Sequence, residues 1–128
     1  MTDFTMKTDA DGVAIITWDV PGKSMNVMSI EGLSELDSII DTVLSDDSIK
    51  GAVITSGKDG SFAGGMDLNL LAKMREDAGD DPAQGLFDGT MKMHALLRKI
   101  ERAGMDAKTN KGGKPIASAL PGTAAGIG

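Results

Sequence analysis

Gly51–Leu68, GAVITSGKDGSFAGGMDL, is the stretch that decides the fold. It opens with a short, nearly all-apolar run, Gly51–Ser56, of the kind that forms a strand buried on both faces. The run breaks at Gly57-Lys58-Asp59-Gly60-Ser61 and then reaches Gly64-Gly65, just before a run from Asp67 to Arg75 that reads as a helix. Glycines between a strand and a helix let the chain take tight angles and let a ligand approach the backbone, where N–H groups lack partners. Such groups bind a phosphate, or an oxygen that becomes negative during a reaction. A second glycine run, Gly122–Gly128 (GTAAGIG), follows another strand-like run, Lys114–Leu120 (KPIASAL), with Pro115 near its start where a missing N–H is tolerated. If the two loops converge, each can supply one N–H to a single carbonyl oxygen, the geometry of an oxyanion hole. Taken alone, glycine pairs at strand ends are mostly turn punctuation. Phosphate-binding alternatives fit poorly: GKDGSFAGG lacks the Gly-Lys-Ser/Thr ending of a P-loop, and GTAAGIG has its paired glycines at the wrong end for a dinucleotide fingerprint.

Working outward, Phe4–Thr8 and Val13–Trp18 are β-type runs around Asp9-Ala10-Asp11-Gly12, an Asp-Gly turn that predicts a hairpin. After Pro21-Gly22, an amphipathic helix is expected with Ser29 as N-cap, Glu31 in its first turn and Leu33, Leu36, Ile39, Ile40, Val43 and Leu44 on one face. Glu76–Gly85 (EDAGDDPAQG) is acidic and without apolar period, and reads as an exposed loop. Gln84–Arg102 predicts a helix with a broad apolar face formed by Phe87, Met91, His94 and Leu97, flanked by Met93, Leu96 and Ile100. A loop, Gly104–Gly113, separates it from the strand-like run at Lys114. The order β-β-α-β-α-α-β argues for an α/β layer architecture. Because the chain finishes in small apolar residues directly after a strand, it is expected to be a piece of a longer domain.

Composition narrows the function. Thirteen Lys and Arg against 19 Asp and Glu give a net charge of −6, which leaves no basic stripe for a phosphate backbone, and 3% aromatics are too few to stack bases. Nucleic acid is not an expected partner. No run of about 18 apolar residues is present, and MTDFTMKTDADG lacks the basic start and apolar run of a signal peptide, so a cytoplasmic chain with no membrane partner is expected. The absence of cysteine removes disulfides, thiolate nucleophiles and thiolate metal ligands. With His94 the one histidine, a metal centre would have to be built almost wholly of carboxylates, and none is expected. His94 lies in MKMHALLRKI with no serine beside it, and reads as a partly buried helix residue rather than a catalytic base. Asp46-Asp47 and Asp80-Asp81 read as surface charge in solvated loops. Nine methionines suit soft core packing, or a surface that adapts to flexible apolar chains.

Three motifs, DGVAIITWDVPGKSMNVM (Asp11–Met28), GAVITSGKDGSFAGGMDL (Gly51–Leu68) and KPIASALPGTAAGIG (Lys114–Gly128), together resemble in order and spacing the crotonase superfamily of enoyl-CoA hydratases and isomerases. The resemblance covers nearly the whole chain, and the opening looks most like the amino-terminal part of bacterial multifunctional β-oxidation subunits. In those, a hydratase domain precedes an NAD-dependent 3-hydroxyacyl-CoA dehydrogenase. The resemblance implies an α/β fold of the ClpP/crotonase ββα spiral type, with residues 1–128 the amino-terminal part of one crotonase-like domain and no second domain in this chain. It implies acyl-CoA as the substrate, no cofactor in this chain and NAD only in a downstream domain. It also implies a trimer-based homo-oligomer, or a complex with a thiolase subunit.

The same resemblance assigns residues. Lys23, Ser24 and Met25 match the segment that lies along the adenine and pantetheine of CoA, largely through backbone atoms. Phe62–Leu68 match the family's Phe-x-x-Gly-Ala-Asp-Leu segment, so that Gly64, Gly65, Asp67 and Leu68 border the substrate and the Met66 N–H is the first oxyanion donor. Gly126, Ile127 and Gly128 match the family's triple glycine, with the Ile127 N–H as second donor. Two departures stand out: Met66 and Ile127 occupy positions where the family usually has small residues, and the two glutamates that handle water and the substrate proton match positions beyond Gly128. Hydration needs such a pair of carboxylates facing each other over the substrate. Asp67, at a helix start, reads as a cap rather than a catalyst. Two other readings stay open: a non-catalytic acyl-CoA binding or assembly module with the same fold, and a protease of the related spiral fold, which would need His94 within reach of a serine and an acid.

Overall fold

The structure, a computed structural model, describes residues 2–128. Two strands, β1 (Phe4–Thr8) and β2 (Val13–Trp18), form the expected antiparallel hairpin in the register Phe4 to Trp18. Helix α1 (Ile30–Ser45) crosses back so that β3 (Gly51–Ser56) pairs parallel with β2. Ser29 caps α1 as expected, its Oγ accepting from the Gly32 N–H at 2.9 Å. The apolar stripe of α1 buries Leu36, Ile40 and Val43, each contributing roughly 2 kcal/mol by removal from water.

Beyond β3 the chain forms β4 (Ser61–Ala63), α2 (Leu68–Asp77), α3 (Pro82–Arg102), β5 (Ile116–Ser118) and β6 (Thr123–Ala124). β5 adds in parallel to β3, completing a four-stranded sheet in the order β1-β2-β3-β5, while β4 and β6 pair in parallel as a separate two-stranded sheet. Stacked Phe4 and Trp18 rings, 5.2 Å apart, and an edge-on Trp18–Phe62 pair at 5.9 Å tie both sheets into one core. This layered α/β architecture is the fold class that the element order implies.

Three details depart from the sequence expectations. The two short strands β4 and β6 carry no strand signal in the sequence. The acidic segment is also shorter than expected: Glu76 and Asp77 end α2, and Asp81 caps α3 with Pro82 at its first position, so only residues 78–81 join the helices. Finally, α3 packs through a narrower face than its sequence suggests. Leu96 is buried and Met93 and Ile100 are half-buried, whereas Phe87 (59% exposed), Met91 and Leu97 face solvent. His94 is exposed rather than partly buried, because the α1 and α2 contacts of α3 fall on its other side.

Candidate functional site

The two glycine loops converge. β4 and β6 run side by side, the Ala125 N–H donates to the Ala63 carbonyl at 3.1 Å, and a Cβ at Gly126 would lie 3.2 Å from the Gly65 Cα. Gly65 has φ +103° and Gly126 has φ +57°, conformations that favour glycine, so both loops depend on the residue type for the angle, and the second loop also for the close approach.

A third segment lines the other side of the first loop. Met28 and Met66 form a parallel bridge: the Met28 N–H donates to the Gly65 carbonyl at 2.9 Å, and the Asp67 N–H donates to the Met28 carbonyl at 2.9 Å. In a parallel bridge the residue bonded to both neighbours leaves the middle residue's own N–H and C=O pointing away from it. Met66 therefore turns its N–H away from Val27-Met28, and among the described residues no group accepts from it. The Ile127 N–H is likewise without an acceptor among the described residues; it sits at the third position of a turn closed by the Gly128 N–H donating to the Ala125 carbonyl at 2.9 Å. The Ile127 side chain is half-buried against the core, so its bulk anchors the second loop. Met66 is also half-buried.

Around these two N–H groups lie most of the residues singled out from sequence. Lys23 reaches Asp67 in a 3.2 Å ion pair. Met25, 40% exposed, puts its sulfur where a Cβ at Gly64 would meet it at 3.3 Å, and Ser24, between Lys23 and Met25 in the chain, is exposed. Gly64 is exposed, Gly65 is buried, and Gly126 is exposed. Leu68 opens α2 with its side chain in solvent, 84% exposed. Asp67 caps α2, its Oδ1 accepting from the Asn69 N–H at 2.9 Å. That bond, followed by the hydrogen bond and charge of Lys23, holds its carboxyl below the usual carboxylate range. Asp67 is thus ionised and engaged, which suits a cap and not a general acid. His94 is exposed on α3 (Pro82–Arg102), outside both loop segments. Among the described residues, no group of three His, Cys, Asp or Glu is placed to hold a metal ion, and no helix is long and apolar enough to cross a membrane.

Sequence reasoning missed Asn26, which is fully buried. Its Oδ1 accepts from the Val20 N–H at 2.9 Å, and its Nδ2 lies 2.8 Å from the Trp18 carbonyl, 2.9 Å from Ser56 Oγ and 2.9 Å from the Phe62 carbonyl. Its own carbonyl accepts from the Gly64 N–H at 2.8 Å. The one available signal was a polar residue with no charge to solvate it, set between Met25 and Met28.

Two N–H donors that meet at one carbonyl oxygen can stabilise it as it gains charge, each donor contributing about 3 kcal/mol to lowering a barrier. The start of α2, directly after Met66 and Asp67, adds the positive end of a helix dipole.

Solved structures with this arrangement of strands and helices include enoyl-CoA hydratases: the enzyme from Thermoplasma volcanium superposes with a TM-score of 0.70 at 23% identity, over 95% of this chain and 41% of that one. The fold is therefore that of the crotonases. By sequence the chain is similar to the fatty acid oxidation complex subunit alpha of Idiomarina loihiensis, 50% identical over 68 residues, and of Shewanella oneidensis, 31% identical over 125 residues. Those matches cover 53% and 98% of this chain, so the chain has the fold of the crotonases and a sequence similar to these alpha subunits. The chain spans 10% to 16% of the length of these alpha subunits. No protein-family model matches it.

Proposed function

We propose that these residues are the amino-terminal part of a single enoyl-CoA hydratase/isomerase-type domain of fatty-acid β-oxidation, and that they bind an acyl-CoA thioester. In this reading Lys23, Ser24 and Met25 lie along the CoA, and Gly64, Gly65, Asp67, Leu68 and Gly126 border the thioester. The N–H groups of Met66 and Ile127 receive its carbonyl oxygen. The observation that carries the reading is the close approach of Gly65 and Gly126 with an unpartnered N–H beside each glycine. The sequence relatives, which are named as fatty acid oxidation complex alpha subunits, support the pathway.

Chemically, the two donors withdraw electrons from the thioester carbonyl and so make the β carbon of an enoyl group open to attack by water. The chain needs no cofactor for this. The acid/base pair that would deliver water and protonate the α carbon is not supplied by Asp67, which is tied to Asn69 and Lys23. In the parent, we place that pair further along the domain and coupled oxidation on NAD in a separate domain. A cytoplasmic, trimer-based homo-oligomer or a complex with a thiolase subunit belongs to the same proposal.

Calorimetric titration of an acyl-CoA against the matching alkyl thioether of CoA, which lacks the carbonyl, tests the reading. The thioester should bind at least about tenfold more tightly, as two hydrogen bonds to one oxygen require. Equal affinities would contradict it. A second reading, a non-catalytic acyl-CoA binding or assembly module, is favoured by the engagement of Asp67. It makes the same binding prediction and differs in predicting no turnover even in the complete domain.

A further inference from the structure

We infer that Asn26 is a positioning residue that aims the Met66 N–H by fastening the CoA-facing segment to the first glycine loop; this rests on the oxyanion reading above. Its side-chain amide joins the last residue of β2 (Trp18), the last residue of β3 (Ser56), the middle of β4 (Phe62) and the N–H of Val20, just before Pro21-Gly22-Lys23. Few single side chains could do this. The amide offers one acceptor and two donor protons on one planar group, so it can serve a backbone N–H on one side and carbonyls on the other. Full burial of Asn26 removes water as a substitute partner for its amide, so the Val20 N–H depends on Asn26, while the Trp18 carbonyl also accepts from the Gly57 N–H at 2.9 Å.

The main chain of the same residue completes the link. The Asn26 carbonyl accepts from Gly64, and two residues on Met28 bonds to both neighbours of Met66. The side chain therefore fixes where residues 26–28 lie, and residues 26–28 fix which way the Met66 N–H points. Lys58 reinforces the near end: its ammonium group donates to the Val20 carbonyl at 2.7 Å and pairs with Asp19. Both polar groups of Val20 are thus held, one by Asn26 and one by Lys58. Asn26 touches no substrate atom in this arrangement and acts only through Met66.

The test uses the whole chain and a CoA thioester with a conjugated, chromophoric acyl group, whose absorption moves to the red when its carbonyl is polarised. Free CoA serves as the second ligand. The unsubstituted chain should shift the band. Asn26→Asp keeps size and acceptor but loses the donor protons, and Asn26→Ser leaves room for a water; either one that unfolds cooperatively should lose at least half the shift. Its affinity for free CoA should fall by a clearly smaller factor than its affinity for the thioester, a pattern that a general loss of structure does not produce. A folded variant with the full shift overturns the positioning role while leaving the oxyanion reading intact. No shift with the unsubstituted chain overturns both. Loss of free CoA binding in parallel with the shift assigns Asn26 a purely structural part, which also overturns the proposal.

Discussion

At the scale of single residues, glycine conformation and one ion pair carry the sharpest expectations. Gly65→Ala places a Cβ in ordinary contact with the Ala125 carbonyl at 3.6 Å, so its penalty comes from φ +103° rather than from overlap. It should cost about 1 to 3 kcal/mol in urea unfolding and weaken acyl-CoA binding with it. Asp67 titrates below its ordinary value of 3.8 because the folded chain bonds its carboxylate to Asn69 N–H and Lys23. A depressed folded pKa contributes stability that is present above 3.8 and lost as pH falls through the lower folded value. Asp67→Asn keeps the cap and removes the titration, so thermal midpoints should fall less on acidification below about pH 4 than for the unsubstituted chain. Identical acid profiles would contradict this. Met66 and Ile127 were legible only through the resemblance, since a backbone donor leaves no mark in side-chain chemistry. Asn26 was not legible, because its partners lie 6 to 36 residues away and an asparagine among loop residues reads as a turn former.

At the scale of elements, the close contact of α2 with α3 sets opposing effects against each other. Gly85→Ala would ordinarily strengthen a helix by about 1 kcal/mol. Here the new Cβ would overlap the Ala78 Cβ and come within 2.8 Å of the Ala78 Cα, a backbone atom that cannot swing aside. Overpacking of this kind costs about 1 to 3 kcal/mol, so the substitution should destabilise the chain in chemical denaturation, and a stabilising result would show that the helices part freely. Elements with a strong local signal were legible: the Asp-Gly hairpin, the Ser29 cap of α1 and the apolar run of β3 all appear where their residues put them. The misses have physical causes. β4 and β6 have three and two residues, too few for a period, and exist only because segments about 60 residues apart in sequence meet. The start of α3 did carry a signal, Asp81 followed by Pro82, but the acidic composition around it outweighed that signal. Its apolar stripe was real as a pattern, yet packing chose the neighbouring face.

At the scale of the molecule, the fold followed from three ordered motifs, whereas the site depends on loops brought together by both sheets. Since the acid beside the proposed donors is engaged, these 128 residues should bind acyl-CoA without hydrating crotonyl-CoA. Loss of the enoyl absorbance above the rate in buffer would contradict that division of labour. The central claim is that the N–H groups of Met66 and Ile127 serve one carbonyl oxygen. Titration of the ¹⁵N-labelled chain with an acyl-CoA thioester tests it most directly. Both amide protons should move downfield together, saturating with a single dissociation constant, and neither should move so with the thioether. Movement of only one of them, or of both equally with the thioether, would contradict the account.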